Sequence, residues 1–180
     1  MAIKMPSQEE VQKAQERQRL EQARAAVEKM QQDIAGGADD ANIWHSLGVA
    51  LLNLSDFAGA RDAMLKAVER DKDFLHAWTN LAVAHYELGE YQSAAVVSKR
   101  AMEVRMGFLP ARMNLGMASL KLGRFAEAET QFHAILQAEP EMPMALAGMT
   151  KALEGLNRKD EAAHYKLRAI QAGVCFVEDE

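Results

Sequence analysis

Apolar residues recur along this chain with two periods at once. The short period is helical. Trp44, Leu47, Gly48 and Leu51 fall at spacings of three and four, and Phe57, Ala60, Met64 and Ala67 follow the same spacing after a short break. Such spacing lays one apolar stripe along a helix. The long period is 34 residues: Trp44 returns as Trp78, Leu47 as Leu81 and Leu115, Leu54 as Leu88, Leu122 and Leu156. Phe57 returns as Tyr91 and Phe125, and Ala60 as Ala94, Ala128 and Ala162. Four blocks, 41–74, 75–108, 109–142 and 143–176, run in frame with no insertion. Self-similarity at such a period marks stacked supersecondary units, so there is no single globular core to seek.

Each block divides into two helices of about 14 residues, roughly 21 Å each at 1.5 Å rise per residue. Ser55, Gly89, Gly123 and Asn157 stand at the division. Gly and Asn accept the left-handed conformation that ends a helix, and Ser55 is the expected exception. Gly48, Ala82 and Gly116 mark where the first helix approaches the second, with Ala60, Ala94, Ala128 and Ala162 at the reciprocal point. A bulky side chain at either place would force the pair apart, costing on the order of 1–3 kcal/mol. One pair cannot bury both its faces, so the blocks must stack.

These positions resemble the tetratricopeptide repeat family. The first block carries Trp44, Leu47, Gly48, Ala60 and Ala67, with Leu51 and Met64 where the family favours aromatics. The second reads Trp78, Leu81, Ala82, Tyr91, Ala94, Ala101 and the third Leu115, Gly116, Phe125, Ala128, Phe132, ending in Pro140. The fourth is degenerate, with Leu146, Thr150 and Lys159 at the Trp, small and aromatic positions. The resemblance implies an all-α, right-handed α-solenoid of four helical hairpins over 41–176. It is specific for fold and says little about function.

The ends extend this array. Residues 7–36 read as one long helix, capped by Ser7 with Glu10 and stopped by Gly36-Gly37. Its second half has an apolar stripe, Leu20, Ala23, Val27, Met30 and Ile34, which predicts a cap against the first block. Residues 1–40 thus form an N-terminal helical extension. Residues 7–19 are either a solvated extension or a helix for self-association or a partner, and a homodimer through this helix stays open. Gly173 ends the last helix, with Val174, Phe176 or Val177 packing back. The 177–180 tail is acidic; it resembles the acidic peptides that some tetratricopeptide domains bind, and also reads as a solubilising end.

The resemblance implies a concave groove lined by the first helix of each pair. By subtraction of packing positions, block 1 offers Asn42, His45, Val49 and Leu52, with Ser46 and Asn53 beside them. Block 2 offers Thr79, Asn80, Val83 and Tyr86. Block 3 offers Met113, Asn114, Met117, Leu120 and Lys121, and block 4 includes Gly148. Asn80 and Asn114 are equivalent; in the family an Asn there often contacts the backbone of bound peptide, while Asn is also common consensus. Met113 and Met117 share a face, and flexible Met surfaces suit adaptable apolar recognition. The cations are only Lys121 and Lys151, so the branch of the family that clamps a terminal carboxylate does not fit.

Composition adds limits. Of 180 residues, 49% are apolar and 6% aromatic, which suits helices. The formal charge of −5 sits at the ends: residues 41–177 carry fifteen basic and fifteen acidic residues. No basic surplus exists to neutralise phosphates, so nucleic acid is not the expected partner. No apolar stretch reaches membrane-spanning length and no leader precedes Pro6, so no membrane is expected and a cytoplasmic location is. One Cys excludes a disulfide framework, and the five His are scattered without metal spacing. No nucleophile, phosphate loop or dinucleotide motif is present, so no catalytic residue, metal or cofactor is expected. The reading is a non-enzymatic adaptor, scaffold or assembly factor. It binds a peptide or amphipathic helix of another protein. The alternative is a dedicated chaperone shielding an apolar segment of a secretion or assembly client.

Overall fold

The first helix begins with a reciprocal cap. The Ser7 hydroxyl accepts from the Glu10 amide at 3.2 Å, and the Glu10 carboxylate accepts from the Ser7 amide at 2.7 Å. In the computed structural model, which describes residues 7–176, α1 (Gln8–Ala35) then runs unbroken for 28 residues to its C-cap Gly36. Eight more helices follow among the described residues: α2 (Ala41–Asn53), α3 (Phe57–Arg70), α4 (Leu75–Glu87) and α5 (Tyr91–Val104). Then come α6 (Leu109–Lys121), α7 (Phe125–Ala138), α8 (Pro143–Gly155) and α9 (Lys159–Gln171). The architecture is an all-α, helix-hairpin solenoid. Starts at 41, 75, 109 and 143, and at 57, 91, 125 and 159, keep the sequence period without slippage.

The turn inside each pair explains that regularity. Ser55, Gly89, Gly123 and Asn157 have φ of 58°, 76°, 68° and 60°. The next amides, of Asp56, Glu90, Arg124 and Arg158, donate to Leu51, His85, Ser119 and Leu153 carbonyls at 2.8 to 2.9 Å. This is the Schellman closure, which satisfies carbonyls that the helix end would otherwise leave bare. Ser55 is therefore no exception. The hydrogen bonds impose the left-handed conformation, and serine carries the Cβ crowding that glycine avoids.

The chain divides into two compact units, Met1–Ala77 and Trp78–Glu180. In the first, α1 packs on α2 and α2 on α3. Gly48 permits this approach: a Cβ there would lie 2.6 Å from Met64 Cε. Ala60, Met64 and Ala67 are fully buried. Trp44 anchors the start of α2, its indole Nε1 donating to Asp39 at 2.7 Å. Arg70 donates twice to the same carboxylate, at 2.9 and 2.8 Å, which ties α3 to the segment before α2.

In the second unit α5 packs on α6, α6 on α7, α7 on α8 and α8 on α9, while α6 also touches α8. Phe132 on α7 is fully buried. Two glycines face its ring: a Cβ on Gly116 would lie 2.8 Å from Cζ, and one on Gly148 2.7 Å from Cε2. Gly148 is thus a packing position and not the groove position expected for it. Arg112, at the Trp position of the third block, donates to Gln131 Oε1 at 3.2 Å. After α9, Gly173 turns at φ 90° and the Val174 amide donates to Ala169 at 2.9 Å. Val174 and Phe176 pack onto the α7–α8–α9 core. Val177 and the acidic tail expected at 177–180 lie outside the described residues.

Candidate functional site

Two helical stripes meet in the first unit. On α1, Leu20, Ala23, Ala26 and Met30 share one face; on α2, His45, Ser46, Val49, Ala50 and Asn53 share another. Between them, with Glu16 and Arg19 continuing the α1 wall, lies an open groove of about 660 Å³. Residues 8–22 of α1 are otherwise exposed, so the buried part of α1 begins at Ala23. The His45 ring lies 4.7 Å from that of Phe74, tilted by 39°. Burial, and secondarily the nearby His76, push His45 below the usual histidine range.

Of the residues expected in block 1, His45 and Val49 come together in this groove. Asn42 is exposed and Leu52 half-buried, and neither lines it. The α1 wall was missed as part of a site, because its stripe reads equally well as a simple cap.

The second unit presents the faces of α4, α6 and α8. Asn80, Val83 and Tyr86 on α4 are half-buried, as are Met113, Asn114, Met117 and Leu120 on α6; Lys121 is exposed. Thr79 does not belong with them: it is 6% exposed. Its carbonyl accepts from Asn114 Nδ2 at 3.1 Å, so the Asn114 amide ties α6 to α4. Met113, Met117 and Leu120 pack against the core cluster that holds Phe132, Leu146 and Met149. Much of their apolar surface is therefore spent on helix packing, for which a thioether's flexibility is equally suited. Tyr86 packs on a second cluster of Ala94, Ala95, Leu115 and Ala118, with its ring 5.3 Å from Tyr91.

Charged contacts hold the backs of the hairpins. Glu127 meets Lys99 Nζ at 2.7 Å and accepts from Ser119 Oγ at 3.0 Å, and the Lys99 hydrogen bond holds its carboxyl below the usual range. Among the described residues no group of three or more His, Cys, Asp or Glu could hold a metal ion, and no helix is long and apolar enough to cross a membrane.

A tetratricopeptide repeat profile matches residues 11–73 and 45–100, and a second one matches 85–146. The chain belongs to the tetratricopeptide repeat family. A search of the curated proteins found no match. Among solved structures, the RS-1 MamA double mutant aligns with a TM-score of 0.78 at 14% identity, covering 94% of this chain and 96% of that one. Another MamA structure gives 0.76 at 20% identity, covering 81% and 85%. A MamA fragment from Desulfovibrio magneticus RS-1 gives 0.71 at 18% identity, covering 76% and 77%. At these identities the likeness establishes the fold. The cytoplasmic expectation is not upheld: this fold, and the lack of a spanning helix among the described residues, do not tie the chain to the cytosol. The tetratricopeptide repeat protein described here is an α-solenoid of helical hairpins.

Proposed function

We propose that this tetratricopeptide repeat protein is a non-enzymatic adaptor whose second unit holds a peptide or amphipathic helix of another protein. The bound segment lies across the first helices of the hairpins, against Val83 on α4 and Leu120 on α6, with Lys121 at its edge. The leading 1–40 segment serves as the cap of the first hairpin, and blocks 41–74, 75–108, 109–142 and 143–176 act as the repeats. The observation that supports this reading is the half-buried apolar surface at equivalent positions of successive first helices, Val83 with Met117 and Tyr86 with Leu120, in a tetratricopeptide repeat array. A partly apolar surface beside polar groups suits the apolar stripe of an amphipathic helix.

A displayed library of helical peptides, panned against the full chain, tests it. Binders should share apolar residues at spacings of three and four. Val83→Arg combined with Leu120→Arg should weaken them at least tenfold, about 1.4 kcal/mol, while helical circular dichroism is kept. Equal binding by the double variant would move the site elsewhere.

A further inference from the structure

In the second unit, α4 touches both α5 and α6. Tyr86 packs on the cluster of Ala94, Ala95, Leu115 and Ala118 and meets the Tyr91 ring at 5.3 Å, while the Thr79 carbonyl accepts from Asn114 at 3.1 Å. Shifted back by two sequence periods, the floor of that seat lands on the α1–α2 groove. Ala94 corresponds to Ala26, Ala118 to Ala50, Tyr91 to Ala23, Asn114 to Ser46 and Met117 to Val49. The α5–α6 floor is covered by a helix, and Ala94 and Ala118 are fully buried. The equivalent α1–α2 floor opens into a groove of about 660 Å³. The difference is α1 itself. It runs straight through Leu20-Glu21, where every other hairpin turns, so no helix folds back onto that floor. The repeat profile nevertheless begins at residue 11, inside α1.

The chain's own first half of α1 is unsuited to that seat. In register it offers Glu10 for Trp78, Lys13 for the fully buried Leu81, and Gln18 for Tyr86. Folding it back would bury a lysine and lose the aromatic, and burying an unpaired charge costs several kcal/mol.

We propose that the α1–α2 groove is the docking seat for one amphipathic helix of a partner protein, which carries an aromatic residue on its apolar stripe and completes the first hairpin from outside. The argument is continuity: the groove presents the small-residue floor and the flanking helices of the α4–α5–α6 interface, with the middle helix left for the partner to supply. The proposal deepens the protein-binding reading but uses a different surface, so the two fail separately.

The test uses the full chain, labelled with nitrogen-15, and a lactam-bridged peptide of residues 75–88, the helix that fills the equivalent seat. Titration should shift the amides of Ala23, Ala26, Ser46 and Val49 saturably. A peptide with Tyr86→Ala should bind at least tenfold more weakly. Ser46→Arg in the protein should abolish the shifts with its thermal transition unchanged; if that variant unfolds, Val49→Gln takes its place, with at least tenfold weakening expected. The Val83→Arg, Leu120→Arg variant should bind the peptide as the parent does. Absent shifts, or shifts confined to α5 and α6, would overturn the proposal. So would changes at the same α1–α2 amides on simple dilution, which would give the seat to a second copy.

Discussion

At Ser55 a β-carbon sits in a backbone conformation that three of its counterparts meet with Gly or Asn. A non-glycine residue in the left-handed region is strained by about 1 kcal/mol or more, and glycine gives back part of that gain as unfolded-state entropy. Ser55→Gly should therefore stabilise the protein by about 0.5–1 kcal/mol, read as a higher urea midpoint at constant slope. The glycines that face side chains separate in the other direction. A methyl on Gly48 meets the end of Met64, which can swing; a methyl on Gly148 meets the rigid Phe132 ring. Helix propensity favours alanine over glycine by about 1 kcal/mol. Gly48→Ala should come out close to neutral, whereas Gly148→Ala should cost about 1–3 kcal/mol in chemical denaturation. Neither the strain at Ser55 nor the packing role of Gly148 was legible in the sequence. Both depend on where neighbouring helices put their atoms, and the 34-residue frame alone marks Gly148 as a departure from Asn.

At the scale of elements, almost everything was legible. Helix starts, the Ser7 cap and the unbroken α1 follow from apolar spacing and cap chemistry, because each is decided within a few residues. The candidate site was less so. Subtraction placed Thr79 and Asn114 in the groove, yet the hydrogen bond between them closes one helix on the next. Subtraction also treated Met113 and Met117 as open surface. Since both pack on the core, Met113→Glu with Met117→Glu should lower the thermal midpoint as well as any binding. By contrast, the exposed first half of α1 contributes little burial. Deleting residues 1–19 should leave the thermal transition within a few degrees of the parent, as expected for a surface change of about 0.5 kcal/mol or less. A collapse of helical signal would show that this half is part of the fold.

For the molecule as a whole, the neutral array between acidic ends means that pH acts through particular groups. His45 is kept neutral in the folded chain by burial, while an unfolded histidine titrates near pH 6.5. Below that value the unfolded chain binds more protons, so stability should be full above about pH 6.5 and fall as the pH drops toward the depressed folded value. Asp39, held low first by its Arg70 hydrogen bond, and Glu127, held low by Lys99, add stability that is lost further down, as the pH falls through the carboxylate range toward their lower folded values. Urea midpoints at pH 7.5 and 5.5 check this: the difference should shrink in His45→Asn. An equal difference in both proteins would assign the acid sensitivity to other groups.

Phe132 adds a question of motion. Its ring is held edge-on by two glycine backbones, one on α6 and one on α8. A half-turn of that ring about its axis needs those two helices to draw apart for an instant. Its flipping rate is therefore a clock for the breathing of the second unit. A ring with distinct resonances for its two sides at room temperature would mark a stack that opens rarely, and a partner helix or peptide that grips α6 should slow that clock further.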